Sequence, residues 1–288
     1  MSKRRCLVVL TDTEAAFQLC VGDGNQAAPV PLKRIAFVPF FGCITASDPS
    51  ELGLVSFVSH SIVESISITV SETVRVSGLL QNPSGARACY VMAHGAGAGM
   101  NHPFMAATAA GLALRGIASL RFQFPYMERG SKFPDPPQLA QATVRGAMSA
   151  ALVLVPERPL IGGGKSFGGR MASQAQAKAP LQGMRGLAFL GFPLHPAGHP
   201  SQDRAMHLFD VQIPMLFLQG THDKLASLDQ IEPLCKRLGK LATLKLVADA
   251  DHSFHVPVRT GRKDAQVLAD MIDVFSAWFD KAIAPLEP

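Results

Sequence analysis

Three residues have the types, order and spacing for nucleophilic acyl chemistry: Ser166 in Gly164-Lys165-Ser166-Phe167-Gly168, Asp223 in MLFLQGTHDKLA and His252 in LKLVADADHSF. A serine hydroxyl is a weak nucleophile at neutral pH, so a base must take its proton and a carboxylate must orient that base. The G-x-S-x-G form supplies the serine's geometry when a strand leads in and a helix leads out. The serine then sits on a sharp strained turn, and the flanking glycines remove Cβ atoms where strand and helix converge. Residues 160–163 read as a short apolar strand and residues 167–178 as a helix, so that context is met. Gly162 and Gly163 exceed the requirement and are expected to let the loop pack closely.

Asp223 and His252 each follow an apolar strand, which places a carboxylate and an imidazole in loops at strand ends. His255 is the rival base, but His252 is on the shorter path from its strand. Asp251 reads as a turn residue and His222 as pointing elsewhere. A developing oxyanion needs two backbone N–H donors. Phe167, directly after the serine, is expected to give one, and Ala96 in His94-Gly95-Ala96-Gly97-Ala98-Gly99 the other. His94, Gly95, Gly97, Phe124, Tyr126 and Phe192 are expected to line an apolar substrate pocket. Lys165 and Arg170 have the charge to attract an acidic substrate, but residues so placed more often line the elbow's far side or the solvent face, and that is the reading preferred for them.

Other readings of these segments fail on spacing. The upstream glycine of a G-x-x-x-x-G-K-[ST] phosphate loop is missing. Gly95-Ala96-Gly97-Ala98-Gly99 is a poor match to a dinucleotide fingerprint, and no acidic residue closes the next strand, which ends Leu120-Arg121-Phe122. His195 and His199 have metal-pair spacing, but prolines put them in a loop with no carboxylate or Cys nearby. No cofactor and no metal are expected.

The elements that must position these residues alternate regularly from about residue 65. Residues 66–70 and 73–80 read as an antiparallel hairpin. After it, strands at 88–93, 117–122, 160–163, 186–191, 213–219 and 242–247 alternate with helices at 103–115, 139–154, 167–178, 228–238 and 263–284. Near-continuous apolar strands separated by helices imply a mostly parallel sheet covered on both faces. Residues 1–63 lack this periodicity and are expected to form a poorly structured or loosely docked extension before a single domain over 64–288. The stretch from Gly191 to Asp210 is too short for a folded cap, so the site should be shallow.

Composition bounds the partners. Apolar residues make up 48% of the 288 and charged ones 17%, which describes a globular chain and excludes a mostly disordered one. The net charge of +5 comes from scattered Lys and Arg with no long run, so nucleic-acid binding is not expected. The five cysteines are odd in number and lack a C-x-x-C pair, which favours reduced thiols. The apolar run near the start is too short for a signal peptide, and no segment reaches the roughly 18 apolar residues of a membrane span. These features predict a cytoplasmic protein without a membrane partner, acting on a small-molecule substrate; they do not fix the oligomeric state.

The segments HGAGAGMNHPFM, RFQFPYME, GGKSFGGRMAS, GFPLHPAG, PMLFLQGTHDKLA and DADHSF resemble the dienelactone-hydrolase-like α/β-hydrolases. The likeness is to the subgroup shared by bacterial proteins, a testis-expressed animal homologue and a subunit of a histone-acetyltransferase complex. It covers residue 65 to the end. It implies an eight-stranded α/β-hydrolase sheet, or a slightly trimmed one, with Ser166, Asp223 and His252 in the triad positions. Dienelactone hydrolases proper use a cysteine nucleophile; here the residue is serine. The expectation is a serine esterase acting on small or accessible acyl groups. Thioesterase and peptidase activity share the mechanism, and a non-catalytic interaction module on the same fold is the alternative of another class.

Overall fold

The computed structural model describes residues 7–9, 18–20 and 62–283. The chain divides into two compact units, Met1–Ser59 and His60–Pro288. In the first, β1 (Leu7–Val9) pairs antiparallel with β2 (Gln18–Cys20). The expectation of a poorly structured or loosely docked extension otherwise concerns residues outside the described ones.

The second unit is built on an eight-stranded sheet ordered β10-β9-β8-β7-β5-β6-β4-β3. β3 (Val63–Thr69) and β4 (Arg75–Gln81) form the expected hairpin, and β4 pairs antiparallel with β6 (Ile117–Phe122). β5 (Ala88–Ala93), β7 (Leu160–Lys165), β8 (Met184–Leu190), β9 (Met215–Gly220) and β10 (Ala242–Val247) complete it in parallel. This is the α/β-hydrolase fold. Every residue of β5, β6 and β9 is buried, because helices cover both faces of these strands.

The helices divide between two cores. α1 (Pro103–Ala113) and α6 (Asp264–Ala282) pack Met105, Ala109, Met271 and Phe275 against one face. α3 (Pro137–Leu154), α4 (Phe167–Lys178) and α5 (Leu228–Leu238) pack Val144, Met171 and Leu234 against the other. α3 starts two residues earlier than its apolar pattern suggests, since Pro137 has the φ that a first helical position needs. A short α2 (Pro125–Glu128) and a 3-10 segment, Asp203–Asp210, lie in stretches too brief for periodicity to reveal. That 3-10 segment is the one regular element between β8 and β9, so the connection carries no cap. Among the described residues no helix is long and apolar enough to cross a membrane.

The chain leaves β5 toward β6 but leaves β7 toward β8 on the other side. The carboxyl ends of β5 and β7 therefore flank a topological switch point, where open α/β sheets form a crevice. At that point β7 continues as strand through Lys165, past the end expected at Gly163, and its glycines are strand residues, not a loop. The reason is the closeness of β5. A Cβ on Gly164 would stand 2.0 Å from the Ala93 carbonyl oxygen, and one on Gly168 would stand 2.4 Å from the same atom. Gly164 also has φ +140°, which side-chain-bearing residues rarely adopt. Replacing Gly164 with Ala is expected to destabilise the fold by about 3 kcal/mol, the upper end of ordinary overpacking. Urea denaturation of the variant checks this, and an unchanged midpoint would contradict the close approach.

Candidate active site

Ser166 occupies the turn between β7 and α4 with φ 50° and ψ −115°, a conformation that strains any residue with a Cβ. Its N–H donates to the Leu190 carbonyl at 3.3 Å, and its carbonyl accepts from Arg170 N–H at 3.2 Å, so both sides of the turn are tied down. His252 Nε2 lies 2.8 Å from Ser166 Oγ, and His252 Nδ1 lies 2.6 Å from Asp223 Oδ2. The carboxylate only accepts, so Nδ1 carries the proton and Nε2 faces the serine hydroxyl with its lone pair. The structure thus brings together the three residues expected from their order in the chain. The Asp223 side chain is closed to solvent, whereas that of His252 is 23% exposed, so water reaches the serine end of the relay and not the carboxylate end.

Two backbone-anchored groups hold Asp223. Leu225 N–H donates to its Oδ1 at 2.8 Å, and Gln219 Nε2 donates to its Oδ2 at 2.5 Å. The Gln219 amide is itself oriented, since its Oε1 accepts from Phe192 N–H at 2.9 Å. Sequence reasoning missed Gln219. The available signal was a lone amide at the end of the apolar strand β9, four residues before the aspartate.

The loop that carries His252 is equally fixed. The Asp251 carboxylate accepts from Ser253 N–H at 2.8 Å and His255 N–H at 3.0 Å, which makes it the turn residue expected. Lys165 donates from Nζ to the His252 carbonyl at 2.6 Å and sits 5.3 Å from the centre of the Phe254 ring. Burial pushes its amine down to about 8, against the opposing pull of Asp223 and Asp251. Lys165 therefore does not occupy a solvent face; it joins the end of β7 to the loop that carries His252. His255 turns outward, with Nδ1 2.8 Å from Asp264 Oδ2, and that hydrogen-bonded carboxylate raises its pKa. His222 is exposed, and among the described residues its side chain makes no hydrogen bond to Ser166.

The loop after β5 runs beside the elbow: a methyl group on Gly95 would lie 3.9 Å from Ser166 Cβ. Gly97 N–H donates to the Tyr126 hydroxyl at 3.0 Å and Ala98 N–H to the Gly95 carbonyl at 3.2 Å. Just before them in the chain, the N–H of the exposed Ala96 has no acceptor among the described residues. Phe167 N–H is the first of α4, and the first N–H groups of a helix have no intrahelical acceptor.

The pocket-lining expectation needs correction for four residues. His94, Phe124, Tyr126 and Phe192 are at most 1% exposed for the three aromatics and fully closed for the histidine, so they underlie the site and do not face an open pocket. Phe124 meets Phe167 edge-on at 5.4 Å and His94 at 4.9 Å, while Phe192 meets Phe189 and Phe217 edge-on in the core. The cause is local. Tyr126 is drawn inward by Gly97 and by Asp135, whose Oδ2 accepts Tyr126 N–H at 2.8 Å. Gly97 is exposed, but Gly95 is buried. His195 is buried with Nδ1 donating to the Pro196 carbonyl at 2.8 Å, and His199 is exposed.

The family described as an alpha/beta hydrolase domain matches residues 86–280, which is most of the chain. The chain belongs to that family. This hydrolase also superimposes on a dienelactone hydrolase from Anabaena variabilis with a TM-score of 0.63 at 22% identity, over 77% of this chain and 99% of that one. A serine hydrolase without lid from Xanthomonas campestris gives 0.61 at 19% identity, covering 78% and 97%. The esterase domain of a Rhodothermus marinus protein gives 0.59 at 16%, covering 76% and 98%. At these identities the likeness is one of fold.

His94 makes this unit sensitive to acid. Its Nε2 accepts from Phe124 N–H at 3.2 Å and its Nδ1 donates to the Gly95 carbonyl at 2.7 Å, and burial pushes its pKa down to about 4 from an ordinary 6.5. Between those values the unfolded chain binds the extra proton, so stability is full above pH 6.5 and falls as pH drops toward 4. The loss is expected to approach about 3 kcal/mol by pH 4. Urea denaturation at pH 7, 6 and 5 should show it, with a shallower pH slope in His94→Gln.

Proposed function

We propose that the protein is a serine hydrolase of carboxylic esters with small or accessible acyl groups. The observation that carries this reading is the continuous path from Asp223 through His252 to Ser166, at 2.6 and 2.8 Å, ending on a serine whose backbone is strained. Ser166 Oγ attacks the acyl carbon while His252 Nε2 takes its proton. Asp223, held by Gln219 and Leu225, stabilises the imidazolium that forms. The oxyanion is received by the N–H groups of Phe167 and Ala96. The tetrahedral intermediate collapses when His252 returns the proton to the alcohol oxygen, leaving an acyl-enzyme. Water, deprotonated by His252, then releases the acid and restores Ser166.

Within the family we place the chain in the dienelactone-hydrolase-like subgroup that includes the testis-expressed and acetyltransferase-complex homologues. RFQFPYME and GFPLHPAG support that placement. We also place it in the cytoplasm, which the free, buried thiols of Cys89 and Cys235 support.

Purified protein is expected to take up a fluorophosphonate at Ser166, located by mass spectrometry, and to hydrolyse p-nitrophenyl acetate. Ser166→Ala should abolish both, and Asp223→Asn should lower kcat about 10⁴-fold by leaving the imidazole in the wrong tautomer. A folded sample that takes no label, or turnover indifferent to Ser166, defeats the reading. His255→Ala is expected to retain activity, because its imidazole is engaged with Asp264 away from the serine.

A further inference from the structure

Away from Ser166, Asp223 and His252, a cluster of basic groups lies between α4 and the 3-10 segment Asp203–Asp210. Arg170 is partly buried, and its Nε is shut off from solvent without a hydrogen-bond partner. Among the described residues no carboxylate pairs with its guanidinium, whose carbon lies 5.7 Å from the centre of the Phe167 ring. The nearby charge is of the same sign. Burial, then repulsion from Arg204, pushes the Arg170 pKa down to about 10. Arg204, also partly buried, is likewise in no ion pair among the described residues.

The third basic group of the cluster is held neutral. Burial and the charge of Arg170 push His207 down to about 4, with Asp210 opposing. Ser173 Oγ donates to the Arg170 carbonyl at 3.0 Å, so its oxygen accepts from His207 Nε2, 2.8 Å away. The imidazole is thus oriented by the wall of the cluster and adds no charge to it. Two guanidiniums that repel each other and lack a counter-charge cost stability. A bidentate anion between them removes that cost, and arginine forks suit a carboxylate better than any other side chain does.

Position links this cluster to the serine. Arg170 is one turn into the helix that begins beside Ser166, about 5.4 Å along its axis. Helical side chains lean toward the N-terminus, and the stacking on Phe167 shows that Arg170 follows this rule. We infer that Arg170 and Arg204 hold the carboxylate of a substrate whose ester lies at Ser166, so that the preferred substrates are short esters bearing a second, anionic end. This rests on the serine-hydrolase reading and names its substrate class. Hydrolysis is unchanged: water adds across the acyl C–O bond, giving the free acid and the alcohol.

The test is a ratio. The specificity constant for the p-nitrophenyl half-ester of succinic acid is divided by that for p-nitrophenyl butyrate, a neutral ester of similar length. The wild type is expected to favour the half-ester. Arg170→Gln and Arg204→Gln should each lower the ratio at least 10-fold, mainly through KM, and 0.5 M salt should lower it in the wild type alone. A variant that loses folded protein loses both activities together and leaves the ratio unmoved, so the ratio reads the subsite. An unmoved ratio in the folded double variant overturns the proposal. If the wild type hydrolyses neither ester, the serine-hydrolase reading fails separately. Calorimetric titration with succinate then decides the anion site: saturable heat lost in Arg170→Gln sustains it, and no saturable heat overturns it.

Discussion

The end of β5 lies so close to the turn between β7 and α4 that no Cβ fits between them, and this one approach sets the rest of the site. It requires glycine on both sides of Ser166, keeps the serine in a backbone conformation that a free chain would leave, and brings the Gly95–Gly97 loop alongside it. Strain of this kind persists only where surrounding contacts over-determine the geometry. Here they are the sheet ladders on either side of β7 and the ties from Ser166 to Leu190 and Arg170.

Around that turn is a second layer of polar contacts that fixes the relay from behind. Gln219 is pinned by Phe192 and holds Asp223; Lys165 grips the carbonyl of the residue whose imidazole faces Ser166. None of these contacts needs a substrate. The arrangement is preorganised, so on the proposed mechanism little reorganisation remains when charge develops on the imidazole. The aromatic rings beneath serve the same end, since Tyr126 and Phe124 support the loop from which Ala96 presents its N–H.

Much of this was legible in the sequence, for identifiable reasons. β5, β6, α4, α5 and β10 begin and end at the residues expected from their local runs of strand-forming and helix-forming residues. β7 was read too short: glycine carries no strand propensity, and only the approach of Ala93 on one side and β8 on the other shows why the strand continues through it. The order serine, aspartate, histidine located the relay, yet Gln219 and the direction of Lys165 stayed hidden. Both depend on contacts between strand ends far apart in the chain. The rings of His94, Phe124, Tyr126 and Phe192 were read as facing an open pocket and are buried instead, since an aromatic residue after a strand gives no sign of which side of its loop it will occupy. The isolation of Arg170 was equally unreadable, because a missing counter-ion is a property of the folded neighbourhood.

The bare connection between β8 and β9 bears on the fate of an acyl-enzyme. A lidded site can keep solvent out and hand its acyl group to a chosen acceptor. With one 3-10 segment in that connection and His252 partly exposed, nothing among the described residues shields from water the acyl group that the proposed mechanism puts on Ser166. Any alcohol or amine acceptor must outcompete the solvent, which biases such a centre toward cleavage over synthesis. On the proposed mechanism no opening step involves the described residues, so the ceiling on turnover is set by deacylation chemistry and by how tightly the departing acid is held.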